Sequence, residues 1–173
     1  DAVASFEEAI SLSKNNLYYL GLANAYLQRG QYTQAEETYK EVLERNESEL
    51  KALEGLAIVY DKLKKYPEAQ RILAKAIKLN PKEAQLYFNL GIVLEHSGNT
   101  VDALAQYKKA IERKSNFSEA FLHLGKLYLE LGEFEQAEPA LNKASFLEPN
   151  KVDIWLLLAN LKSKENDFAS AHE

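Results

Sequence analysis

Three histidines, His96, His123 and His172, are the only imidazoles of the chain, and imidazole is the commonest protein ligand for metals. A metal site would need two of them around one ion. His96 and His123 can share a face of neighbouring helices, but they fall about seven residues out of step, an axial offset of about 10 Å at 1.5 Å per residue. They cannot reach one ion in that geometry. With no Cys there is no thiolate ligand, nucleophile or disulfide. Carboxylates such as Glu36, Glu37 and Glu44 stand beside Lys40 at helical spacing, which reads as a solvated surface with i,i+4 pairs. There is no HExxH, no Gly-rich phosphate loop and no Ser on a strand-to-helix turn. The expectation is no catalytic residue, no metal ligand and no cofactor: not an enzyme.

Aromatic side chains could instead stack on bases. A stacking platform needs basic neighbours, and the chain carries 26 Asp and Glu against 21 Lys and Arg, a net charge of -5. Nucleic acid and anionic membrane surfaces are therefore poor partners. No apolar run is long enough to span a bilayer. Every Tyr except Tyr18 falls at a regularly repeated position, so packing is the simpler role. Tyr18, Phe88, Phe117 and Phe146 lie off the pattern.

The pattern itself is helical. Apolar residues at i, i+3, i+4 and i+7 give each segment one buried stripe. A small residue recurs as Ala35, Ala69, Ala103, Ala137 and Ala171, each 34 residues after the last. Ala2 precedes Ala35 by one residue less. In the same register stand Tyr19, Leu53, Tyr87, Phe121 and Trp155, then Tyr26, Tyr60, Leu94, Tyr128 and Lys162. Between them are Ala23, Ala57, Gly91, Gly125 and Ala159, where helices must approach closely. Second helices are expected to begin after Tyr32, Tyr66, Thr100, Phe134 and Phe168.

Gly30, Gly98 and Gly132 suit the left-handed turn that closes a helix, and Asn166 tolerates it. Lys64 does not, and costs about 1 kcal/mol if it keeps the turn. Pro67 suits a first helical turn. Asn80-Pro81 and Glu148-Pro149 are stop signals. Pro139 falls well inside its segment and predicts a late start or a kink.

The stretch Phe121-x-x-Leu124-Gly125-x-x-Tyr128, Gly132, Phe134, Ala137-x-x-x-Leu141-x-x-Ala144 and Pro149 resembles the tetratricopeptide repeat. The resemblance implies an all-α fold, a right-handed superhelical α-solenoid of antiparallel helix pairs. Residues 1–173 then form a single array: 1–15 as the second helix of a preceding repeat, full repeats at 16–49, 50–83, 84–117 and 118–151, and a partial repeat at 152–173. The start at Asp1 and the cut final repeat point to a fragment of a larger repeat protein. No sequence feature selects cytoplasm over periplasm.

In the family resembled, first helices line a concave groove that takes a peptide or a partner helix. A helical wheel places Ile58 and Ile92 opposite the core, at equivalent sites on adjacent first helices. Gly21 and Gly55 are also equivalent, and a mid-helix Gly costs about 0.5–1 kcal/mol relative to Ala. With Phe88 they would form a smooth apolar floor. Asn24, Asn89, His123 and Lys126 would hold a ligand's backbone or an acidic group. Alternatively, superhelical curvature buries Ile58 and Ile92. The Lys, Arg and Asn clamp by which some members grip a C-terminal carboxylate is absent: its cationic sites read Leu20, Gln85 and Asn89 in one frame and Glu54, Glu119 and His123 in the other. An Asn ladder, known in another subset, retains only Asn89.

The expected function is protein–protein interaction: a peptide or amphipathic helix over Asn24, Gly55, Ile58, Phe88, Asn89, Ile92, His123 and Lys126. The alternatives are a structural segment that self-associates through truncated repeat ends, and a regulatory arm of a larger repeat protein. Protein is the expected partner, with neither nucleic acid nor membrane insertion.

Overall fold

Each predicted amphipathic segment forms a helix, and the structure, a computed structural model, describes residues 2–13 and 15–170, for 165–170 the backbone alone. Ala171 and His172 lie outside the described residues. Ten helices are present among them: α1 (Ala2–Leu12), α2 (Asn16–Gln28), α3 (Tyr32–Arg45), α4 (Leu50–Lys62), α5 (Tyr66–Leu79), α6 (Ala84–His96), α7 (Thr100–Arg113), α8 (Ser118–Glu130), α9 (Phe134–Leu147) and α10 (Val152–Ser170). They pack as sequential antiparallel pairs, the arrangement of tetratricopeptide-repeat arrays. The chain divides between α6 and α7 into two compact units, residues 1–99 and 100–173.

In the first unit each helix packs on the next, and α4 also touches α2 and α6. Ala35 and Ala69 are fully buried, which lets α3 and α5 lie close against their partners. Tyr39, Leu53, Leu56 and Leu73 fill the space between. In the second unit Ala103 and Ala137 are likewise fully buried, with Tyr107, Leu127 and Leu141. No described helix is long and apolar enough to cross a membrane.

Helix ends follow the turn chemistry. Gly30, Gly98 and Gly132 adopt φ of 72°, 81° and 76°. Lys64 joins them at φ 58°. Its turn is closed like the others: Lys65 N–H donates to the Tyr60 carbonyl at 2.8 Å, as Gln31 N–H does to Tyr26 and Asn99 N–H to Leu94, each at 2.9 Å. These bonds satisfy carbonyls the helix leaves open, which offsets the strain on Lys64. Pro67 sits in the first turn of α5, and α5 and α9 stop before Asn80 and Glu148.

Three expectations fail. Of the two expectations for Pro139, the late start fails, because α9 starts at Phe134 with Pro139 inside it. Buried Ala137 anchors the first turn, its N–H donating to the Glu133 carbonyl at 3.0 Å. Pro139 is exposed, on the side of α9 away from buried Ala137, Ala140 and Leu141. α10 runs on through Asn166 to Ser170, so no turn forms at Asn166 and no separate second helix begins among the described residues. Asn costs only about 0.7 kcal/mol or less inside a helix, so nothing in it compels a turn. Glu36, finally, is not a solvated carboxylate. It is buried to 9% exposure and pairs with Lys40 at 2.6 Å and Lys65 at 2.9 Å. Burial pushes its carboxyl up, but the two ammonium hydrogen bonds outweigh that and hold it below the ordinary value.

Candidate binding groove

Within the first unit the first helices α2, α4 and α6 lie side by side, and what fills the intervals between them decides where a groove opens. One second-helix position, Tyr39 and then Leu73, points up into these two intervals, and Phe6 is its equivalent beneath α2. Phe6 packs on Gly21 and Tyr39 on Gly55. The Tyr39 hydroxyl then donates to Asn24 Oδ1 across on α2. Burial in this place pushes the Tyr39 phenol up to about 12.

Gly55 shares its part of the floor with the Tyr39 ring. It is buried, and a Cβ there would collide with the Tyr39 ring. The interval between α2 and α4 holds a wider, more open hollow of about 320 Å³ above Tyr39, lined by Asn24, Lys51, Glu54, Gly55 and Ile58. Burial, and then the nearby Glu83, raise the Glu54 carboxyl against the pull of Lys51.

Between α4 and α6 the filling residue is Leu73, and Asn89 replaces glycine on the helix above. A cavity of about 130 Å³ opens there. Its floor is Leu73, Ala57 and Val93, at 0%, 1% and 2% exposure. Ile58, Asn89 and Ile92 form its walls. Ile58 is 37% exposed and Ile92 half-buried, so these side chains are neither free in solvent nor sealed in the core. Phe88 is half-buried on α6 and is not on the cavity wall.

At one end the cavity meets a hydrogen bond between His96 Nδ1 and Asp61 Oδ1 at 2.7 Å, the Asp61 side chain being 8% exposed. Lys62, Lys64 and Tyr66 surround the shallower depression beyond it. The site thus offers an apolar slot with a polar end. Leu73, Asp61 and the role of His96 as a rim residue were missed in the sequence. The column Phe6, Tyr39, Leu73 held the signal, because its third member is smaller than the other two.

His123 and Lys126 belong to α8 in the second unit. The His123 ring lies 5.4 Å from that of Tyr107, with the Tyr107 hydroxyl 3.4 Å from Nδ1. Lys126 Nζ is 3.7 Å from Glu130. Both engage neighbours in their own unit. No cluster of three or more His, Cys, Asp or Glu that could hold a metal occurs among the described residues.

Three solved structures resemble the chain. PilF of Pseudomonas aeruginosa matches with a TM-score of 0.80 and 26% identity, over 91% of this chain and 72% of that one. TTC0263, a thermophilic tetratricopeptide-repeat protein of Thermus thermophilus, matches at 0.79 and 24%, over 92% and 88%. YrrB, a tetratricopeptide-repeat protein with an unusual peptide-binding site, matches at 0.71 and 24%, over 88% and 79%. No curated protein matches. The family described as the Cilia and flagella-associated protein 70 C-terminal domain matches residues 1–173. With its repeat register, its paired helices and this match over its whole length, the chain belongs to that family of tetratricopeptide-repeat domains, a class that typically serves protein interaction and is generally non-catalytic.

Proposed function

We propose that the face formed by α2, α4 and α6 binds a linear peptide or an amphipathic helix of a partner protein. The observation that carries this reading is the apolar cavity of about 130 Å³ beside the partly exposed Ile58. An apolar slot with a few polar groups at its margin is what side-chain anchors use. Asn24, Ile58, Asn89 and Ile92 are the contact residues in this reading, while Gly55 acts beneath them by admitting Tyr39. The peptide-binding site ascribed to YrrB supports a peptide as ligand, although at 24% identity the likeness speaks for the fold.

The test is selection from a displayed library of random peptides, followed by affinity measurement on the wild type and on Ile58→Glu combined with Ile92→Glu. A carboxylate on each wall of the slot is expected to weaken the selected peptides by about 10-fold or more. Equal binding by a double variant that stays helical overturns the reading.

A further inference from the structure

We infer that the cavity between α4 and α6 is an anchor site for a phenylalanine of the partner, flanked in the partner by an acidic residue; this rests on the groove reading above. The first ground is what fills the equivalent places. Phe6 and Tyr39 put aromatic rings against α2 and α4, whereas Leu73 leaves the third place open. At about 130 Å³ the opening is close to the ~150 Å³ of an engineered cavity that takes benzene. A partner's ring supplies there what the chain itself supplies in the preceding interval.

The floor sets the choice of ring. A ring entering from solvent points its tip at Leu73, Ala57 and Val93, none of which offers a hydrogen-bond acceptor on its side chain. Asn24, which accepts the Tyr39 hydroxyl, is replaced in this interval by Ile58. A tyrosine hydroxyl set on that floor would meet aliphatic side chains, the polar groups of Asn89, Asp61 and His96 being on the wall and at the end, so the floor favours phenylalanine.

Charge supplies the second ground. At the polar end Asp61 is buried and hydrogen-bonded to His96. Lys62 and Lys64 are exposed beside it, and neither ammonium group has an ion-pair partner among the described residues. The exposed charge at this margin is positive on a chain of net charge -5. A carboxylate next to the anchor fits that margin, and a basic residue does not.

The experiment uses the 173-residue chain and the peptides enriched from the random library, read by fluorescence anisotropy. The expected motif is Phe with Asp or Glu adjacent. Changing its Phe to Tyr is expected to weaken binding by about 10-fold. Leu73→Phe, which fills the cavity from within, should do the same or more. Lys62→Glu, on the surface, should abolish the preference for the acidic neighbour. Should Leu73→Phe lose its helical spectrum, the peptide series and Lys62→Glu decide alone. Peptides that need Ile58 and Ile92 but carry no Phe, accept Tyr equally, or ignore Lys62→Glu overturn this inference and leave the groove reading standing. If no enriched peptide responds to the Ile58 and Ile92 double variant, the groove reading fails and this inference with it.

Discussion

The ring of Tyr39 occupies the space that a Cβ at Gly55 would need. One residue has no side chain so that the other can reach between two helices and hydrogen-bond Asn24 on the far one. The pair ties α2, α3 and α4 into one piece. It also sets the contrast with Leu73 and Asn89, where a smaller knob meets a larger lid and a cavity remains.

Gly55→Ala should therefore destabilise the first unit. In an ordinary helix interior the change gains about 0.5–1 kcal/mol, but here the Cβ meets a ring at 0% exposure that cannot withdraw. Overpacking of this kind costs about 1–3 kcal/mol. Tyr39→Leu in the same chain should recover part of the loss, because Leu73 tolerates a side chain above it. Urea unfolding of the single and double variants measures the coupling. A stabilised Gly55→Ala would show the contact to be loose.

Tyr39→Phe should change the alkaline limb of stability. The phenol is pushed up to about 12 from 10.0, so the folded chain keeps a proton that the unfolded chain releases. Its contribution is full below pH 10.0 and is lost as the pH rises through about 12. The loss is at most about 1.4 kcal/mol per pH unit. The phenylalanine variant lacks this term, so the gap between the two proteins should shift in its favour above pH 10.0. Parallel curves on both sides of that pH would contradict the assignment.

Glu36→Gln addresses the acid limb. The carboxyl is held below 4.5, so its stabilisation is present above that pH and is lost as the pH falls through the lower folded value. Lys40 and Lys65 are about half exposed, so solvent screens the pairs. The substitution should cost about 1 kcal/mol near neutrality and nothing in strong acid. Chemical denaturation at several pH values reads the convergence directly.

Lys64→Gly should stabilise modestly. A left-handed residue with a Cβ costs about 1–2 kcal/mol, while glycine adds about 0.4–1 kcal/mol of unfolded-state entropy. The difference favours glycine by somewhat under about 1 kcal/mol, and φ 58° is already what the turn imposes. A lower midpoint in thermal or urea unfolding would mean that the Lys64 side chain contributes something its backbone does not reveal.

The helices and their pairing were legible because the repeat is a matter of spacing: the small residues at Ala35, Ala69, Ala103 and Ala137 are all fully buried. The face carrying Ile58 and Ile92 was legible for the same reason. Its relief was not. A helical wheel places Gly55 correctly on α4 but says nothing of Tyr39, which arrives from α3 and fills the site. Nor can it show that Glu36 is covered, because Lys65 comes from beyond the end of another helix. Asn166 shows the opposite limit: a residue that permits a turn does not make one.

The single tryptophan occupies a position that is almost fully buried at Tyr19, Leu53 and Tyr87, yet Trp155 is 51% exposed beside exposed Val152 and Leu156. Its indole N–H donates to the Pro149 carbonyl at 2.7 Å, which fixes the ring over the turn before α10. The chain thus carries a spectroscopic probe at one defined point. Its emission wavelength and its quenching by a dissolved collider report whether that flank of α10 is wet, without a label, in any mixture whose other components lack tryptophan. A blue shift on adding a tryptophan-free second protein would mark the moment this ring leaves water.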